Sequence, residues 1–196
     1  MTTSARRLPK QERREQLLEA ALGIVRAEGA DGLTLVTLAE AADVSRPIAY
    51  DHFGTRSGLL LALYRRLDER HRAALADALR AASSGVDELA RVMSTAYFAC
   101  ATDMPESVAV SAALKGDPDL ETVQHEMVER YADMMAAALS AHSSLPSDAL
   151  RLRCVGVLGA AEAIAAELYR QGSTVAEAVD ALTALIVGSV AAHTDH

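Results

Sequence analysis

The sequence predicts an all-α chain of about nine helices, and three observations carry that expectation. Ala, Leu, Glu and Arg, all good helix formers, are abundant in a composition that is 51% hydrophobic but only 4% aromatic. Apolar residues recur at helical spacing, and no stretch shows repeated strand alternation bounded by turns. Clusters of Gly, Pro and Ser cut the chain into segments of helical length. The 196 residues suffice for a small N-terminal domain followed by a larger helical core domain.

The first helix is expected from about Lys10 to Ala27. Leu17, Ala21, Ile24 and Val25 form its apolar stripe, widened by Leu18 and Leu22, and Gly29 and Gly32 bracket its end. Thr34 is suited to cap a short second helix that carries Leu35, Leu38, Ala39 and Ala42 on one face. Asp43-Val44-Ser45 reads as a tight turn: Asp43 tolerates a left-handed backbone and Ser45 can cap the next helix. Pro47 falls in the first turn of that third helix, where its missing N–H costs little.

Two short helices joined by a tight turn, with a further helix behind, are how a helix-turn-helix offers one helix to the DNA major groove. On the third helix Val44, Ala49 and Phe53 point inward, whereas Arg46, Pro47 and Tyr50 lie on the opposite face. Those three suit base contacts: Arg reaches guanine O6 and N7, and Pro and the Tyr ring pack on thymine methyls or sugars. His52 and Arg56, at the helix end and the start of the next helix, are placed for phosphates, as is the free N-terminus of a fourth helix capped by Thr55 or Ser57. The expected function is therefore sequence-specific DNA binding.

At Leu33-Thr34, Leu38-Ala39-Glu40-Ala41-Ala42, Val44-Ser45, Tyr50-Asp51-His52-Phe53 and Arg56-Ser57-Gly58-Leu59-Leu60 the chain resembles the tetracycline-repressor (TetR) family of bacterial transcription regulators. The resemblance covers roughly residues 12 to 62. It implies a three-helix DNA-binding domain with a helical effector-binding and dimerisation domain, and it places DNA contacts on Thr34, Ser45, Arg46, Pro47, Tyr50, His52 and Arg56. Asp43 stands where the family usually has Gly, Val36 where some members have a base-reading Arg, and Arg56 where Lys is usual.

The fourth helix is expected from near Ser57 to about Ala82, with Arg65, Arg66, Arg70 and Arg72 on its solvent side. It connects an N-terminal domain, 1–56, to a C-terminal domain, 57–196, as a continuous rod that transmits tilt. Further helices follow at about Val86 to Thr102, as a short one after Pro105 to Lys115, and at about Asp119 to Ala141, Ser147 to Arg170 and Val175 to His193, separated by Met104-Pro105, Gly116-Asp117-Pro118, His142 to Pro146, and Gln171 to Thr174. In the last two, Val155, Gly156, Gly159, Ala160 and Ala163 form a small-residue face, and Val175, Val179, Leu182, Ile186 and Val190 an apolar stripe. Two such helices from each of two subunits would build a twofold four-helix bundle; the same faces could instead close the monomer's own core.

Met93, Tyr97, Phe98, Cys100, Met104, Met127, Tyr131, Met134 and Met135 could line an apolar cavity for a small-molecule effector, with Asp103, His125 and Glu162 as polar anchors. A Met and aromatic stripe at this spacing is more often plain core. His125, Glu129 and Asp133 follow at intervals of four but form no compact ligand set, so no metal or other cofactor is expected beyond the unidentified effector. No phosphate loop, nucleophile elbow or cysteine pair at metal spacing occurs, so no enzyme is expected.

The net charge of -8 argues at first against nucleic acid, but its distribution is uneven. Residues 1–72 hold 12 Arg or Lys and 10 Asp or Glu, net +2, and the remainder is net -10. Arg6, Arg7, Lys10, Arg13 and Arg14 form a basic arm able to follow the phosphate backbone or enter a minor groove. Cys100 and Cys154 read as buried thiols. No apolar run is long enough to span a bilayer and no signal peptide opens the sequence, so a cytoplasmic location is expected. The alternative reading is a helical scaffold or ligand-binding module that keeps the N-terminal fold without specific DNA binding.

Overall fold

The computed structural model describes residues 8–82, 85–103, 105–171 and 174–190, with the side chains of 100–103 and 169–171 left aside. Among these residues the chain forms nine α-helices: α1 (Lys10–Glu28), α2 (Leu35–Ala41), α3 (Arg46–Phe53), α4 (Arg56–Ala81), α5 (Val86–Asp103), α6 (Pro105–Ala113), α7 (Pro118–Leu139), α8 (Ser147–Gln171) and α9 (Val175–Val190). Two single-turn 3-10 segments, Ala30–Gly32 and Ser140–His142, complete the described secondary structure. The all-α expectation holds, and most boundaries fall within two residues of the Gly and Pro stops that predicted them.

The chain divides into two compact units. One comprises Met1–Leu67 with Pro105–Leu120, the other Asp68–Met104 with Glu121–His196. The division thus falls inside α4 rather than at residue 56, and α6 joins the N-terminal helices.

In the first unit, Leu17, Leu18, Ala21, Leu22, Ile24 and Val25 bury one side of α1, as their spacing dictates. Leu38, Ala49, Phe53, Leu59, Leu60 and Leu63 supply the matching surfaces of α2, α3 and α4. Each such Leu or Phe removed from water contributes about 1.5–3 kcal/mol against chain entropy. α6 packs on α1 and on the Ala30–Gly32 turn, burying Val110 and Leu114. An ion pair between Arg26 of α1 and the largely buried Glu106 carboxylate adds a polar tie, and the Ser57 hydroxyl donates to Asp117. Arg66 does not lie on a freely solvated face: it spans from α4 to α1, pairing with Glu15 at 3.0 Å and Glu19 at 2.9 Å.

The second unit packs α5, α7, α8 and α9 around Phe98, Met135, Leu139, Leu150, Cys154, Leu182 and Ile186. Its buried hydroxyls are satisfied within their own helices, Ser94 donating to the Ala90 carbonyl at 2.8 Å and Thr183 to that of Val179 at 2.7 Å. Burial raises the Cys154 thiol pKa, which makes it an inert core residue.

This unit corrects the expectation for α9. Of the two expectations for Val179, Leu182 and Ile186, a subunit interface or the monomer's own core, the structure follows the second: they are 8, 2 and 1% exposed and belong to the chain's own core. The outward apolar surface consists instead of Leu152, Gly156, Gly159, Ala163, Ala184 and Leu185, with Leu152 71% exposed and Val155 partly buried. An apolar stripe reports burial, and here the burying partner is α5 and α8 of the same chain.

The residues considered for an effector cavity are divided by the fold. Met93 and Phe98 are fully packed in the core, and Tyr97 rests edge-on against Phe98 with ring centres 5.3 Å apart. Met127 and Met135 are buried, whereas Tyr131 and Met134 are partly exposed, Tyr131 lying 6.0 Å from the His71 ring. Met104 and the side chain of Cys100 lie outside the described residues.

Candidate nucleic-acid interface

The geometry of α3 is set by its two ends. Thr34 and Thr37 form a reciprocal capping box at the start of α2: the Thr37 N–H donates to the Thr34 hydroxyl oxygen at 3.0 Å and the Thr34 N–H to that of Thr37 at 2.9 Å. At the far end of α2, Asp43 takes φ +51°, and the Val44 N–H reaches back to the Ala39 carbonyl at 3.0 Å. A left-handed residue there reverses the chain in three residues, and Asp is among the few side chains that tolerate it. Ser45 then opens α3 with Pro47 in its first turn. Its hydroxyl makes no capping bond and is exposed. Gly54 closes the helix at φ +68°, a conformation a side chain would strain.

Within this frame the helix is divided as its sequence predicts. Ala49 and Phe53 are buried and Val44 is half-buried. Arg46, Pro47 and Tyr50 project outward, with the Arg46 side chain 63% and Tyr50 50% exposed. The exposed phenol is not explained by packing, since burying it would have stabilised the fold. Arg46 makes one ion pair, to Glu40 at 3.4 Å, which leaves most of its donors free.

Other expected contacts have different employment. Thr34 is half-buried and its hydroxyl is engaged in the capping box, so it first sets the start of α2. Arg56 was expected to face a phosphate. Its Nε instead donates to the Leu33 carbonyl at 2.8 Å and an Nη to that of Ala30 at 2.7 Å, clamping the start of α4 to the turn before α2. The Ala30 carbonyl also accepts the Leu33 N–H at 3.2 Å, so Arg56 adds a second donor there and a donor to the Leu33 carbonyl. Arg6 and Arg7 lie outside the described residues.

A feature that sequence reasoning missed is the docking of α1 on α3. The Arg14 guanidinium sits 4.9 Å from the Phe53 ring centre, and its Nη1 donates to the His52 carbonyl at 3.0 Å, near the C-terminus of α3 where a cation is favoured. Leu8, Lys10 and Arg13 line an open groove with Pro47, Ile48, Asp51 and His52. The surface therefore extends the face of α3 with the first turn of α1. Partial burial lowers the His52 pKa, and Lys10, Arg14 and Arg13 act in the same direction against Asp51. These effects together favour the neutral imidazole.

The family of "Bacterial regulatory proteins, tetR family" matches this chain over residues 17–63, which span α1 to the start of α4. A transcriptional regulator of Burkholderia thailandensis, BetI, is 40% identical over 76 residues, covering 35% of this chain and 39% of that protein. The Pseudomonas putida regulator CymR is 33% identical over 123 residues, 61% of this chain and 59% of that protein. The chain thus matches about two-fifths and three-fifths of the length of these relatives. Among solved structures, the multidrug binding protein EbrR complexed with imidazole superposes with a TM-score of 0.63 and 25% identity, with both chains fully covered.

Proposed function

We propose that the chain is a ligand-responsive transcriptional repressor of the TetR family, binding a palindromic DNA operator as a homodimer, a reading supported by its match to that family over residues 17–63 and by its similarity to BetI and CymR. The observation that carries the reading is the outward triad of Arg46, Pro47 and Tyr50 on a short, doubly anchored helix. One such helix spans too few base pairs to specify a site, whereas two, set about 34–36 Å apart by a twofold axis, read successive major grooves of a palindrome. The apolar outer surface of α8 and α9, with Leu152, Gly156 and Leu185, is the part of the chain best suited to supply that axis.

A small molecule bound in the unit of α5, α7, α8 and α9 would relieve repression by binding more tightly to a conformation in which the two recognition helices miss successive grooves. That EbrR is a multidrug binding protein is consistent with an effector of this kind here. No catalytic step enters this account, and a cytoplasmic setting follows from its DNA partner.

The test is an electrophoretic shift with duplex from the intergenic region beside the coding sequence, at moderate salt. The reading expects a retained, sequence-selective complex that Tyr50→Ala abolishes without unfolding the protein. A sequence-blind complex, or none, would favour a helical scaffold that keeps the fold for another purpose.

A further inference from the structure

We propose that α4 and α7 form a binding site for a small organic carboxylate, anchored on the guanidinium edges of Arg130 and Arg72. The inference deepens the ligand-responsive reading above and rests on it for the ligand's role as effector. Asp68, His71 and Arg72 fall at i, i+3 and i+4 on α4, and Met127, Arg130, Tyr131 and Met134 at i, i+3, i+4 and i+7 on α7, so each set shares one helix face. The two faces meet. Arg130 Nη2 lies 3.3 Å from Asp68 Oδ2, and the His71 and Tyr131 rings are 6.0 Å apart. Arg72 and His71 act electrostatically on the same Asp68 carboxylate.

Donors are left over in this cluster. Among the described residues, Arg72 Nε and Arg130 Nε are buried without a hydrogen-bond partner, which is destabilising. The other such atom, Arg66 Nη1, belongs to the first unit, on a guanidinium that two glutamates already hold. A carboxylate ordinarily takes two N–H groups of an arginine at once, in parallel bonds, and Nε with Nη2 is one such edge. Asp68, tethered to α4, reaches only Nη2 of Arg130, while Glu69 and Glu126 stand off at 3.9 Å from Arg72 Nη2 and Arg130 Nη1. A free carboxylate has no tether. It can take the whole edge of Arg130 in place of Asp68, whose charge burial already disfavours, while Arg72 supplies a further N–H. The Arg72 and Arg130 side chains are 30 and 39% exposed, so each guanidinium can turn its edge to the opening. His71, Tyr131 and Met134, all partly exposed, offer a wall for the rest of the molecule. A cation would have to displace Arg130 from Asp68, and among the described residues no buried side-chain oxygen is unpaired to receive it.

The experiment is calorimetric titration of the full chain, without DNA, with acetate, hexanoate, benzoate and phenylacetate, each beside its primary amide. At least one carboxylate is expected to bind, and its amide about tenfold more weakly. Arg130→Lys keeps the charge but loses the fork, and should weaken that carboxylate about tenfold. Asp68→Asn removes the competing charge and should tighten it about fivefold. The double variant Asp68→Leu with Arg130→Met exchanges the pair for apolar groups, and should fold yet bind none of the probes. Absence of binding by every carboxylate, equal binding of acids and amides, or native affinity in the folded double variant would overturn the site while leaving DNA binding intact. Carboxylate binding that leaves operator affinity unchanged would keep the site and remove the ligand-responsive reading.

Discussion

The Arg14 guanidinium lies 4.9 Å from the centre of the Phe53 ring and hydrogen-bonds the carbonyl of the residue before it. This contact makes α1 the backstop of the recognition helix, since Phe53 anchors the inner side of α3 while Arg14 fastens its last turn. Arg14→Ala should therefore cost about 1 kcal/mol of stability, lowering the melting temperature by about 2–4 °C, and should weaken operator binding as α3 loses its fixed orientation. Thermal melting and anisotropy titration on one preparation check both effects. Unchanged DNA affinity would show that the clamp does not orient α3.

Phe53→Ala and Tyr50→Ala separate the two faces of α3. The buried ring should cost about 3–5 kcal/mol when removed. The exposed phenol should change stability by no more than about 0.5 kcal/mol, yet abolish operator binding. Arg46→Ala should relax preference at one base position by about 1–3 kcal/mol. Equal loss on all sequences would reassign Arg46 to the phosphate backbone.

The pH dependence follows from two histidines whose pKa values burial lowers, His52 in the first unit and His71 in the second. Each binds its proton less readily folded than unfolded, so stability is complete above the unfolded pKa near 6.5 and declines as pH falls through and below it. DNA works in the opposite direction at His52, because a phosphate beside the imidazole favours its cation. Operator affinity should rise between about pH 7.5 and about pH 5.5 in the native chain and not in His52→Ala, as measured at constant salt.

Asp68 of α4 is nearly buried and pairs with Arg130 of α7 at 3.3 Å, and burial raises its pKa despite that partner. Arg130→Ala strands the carboxylate and should cost about 2–3 kcal/mol, less than a fully buried pair because Arg130 is partly exposed. The double substitution Asp68→Leu with Arg130→Met should recover most of that loss in urea unfolding. No recovery would mean that the pair, rather than the burial of one charge, holds these helices.

How far the sequence announced this structure depends on the kind of signal. Capping and Pro positions act locally, so Thr34, Asp43 and Pro47 placed the start of α2, the turn and the start of α3 nearly to the residue. The outward triad was legible because polar and rigid residues interrupt a helical stripe. The partner of an apolar stripe was not: Val179, Leu182 and Ile186 look the same whether they meet the same chain or a second copy. Arg56 and Glu106 were equally opaque, since their partners, the carbonyls of Ala30 and Leu33 and the side chain of Arg26, are remote in sequence or belong to the backbone. The same holds for α6, whose amphipathic pattern does not say which unit it joins.

The proposed dimer can be challenged at Gly156, where an added Cβ meets nothing within 4 Å in the single chain. Gly156→Leu should therefore fold normally yet sediment as a monomer, with operator affinity falling as the second recognition helix is lost. A dimer of unchanged strength would place the interface elsewhere.

The most direct measurement is selection from a randomised duplex pool by the native chain and by the triple variant Arg46→Ala, Pro47→Ala, Tyr50→Ala. The account predicts that the native chain enriches a palindrome with half-sites about one helical turn apart, and that the folded triple variant enriches none. Enrichment of the same palindrome by both proteins would contradict it.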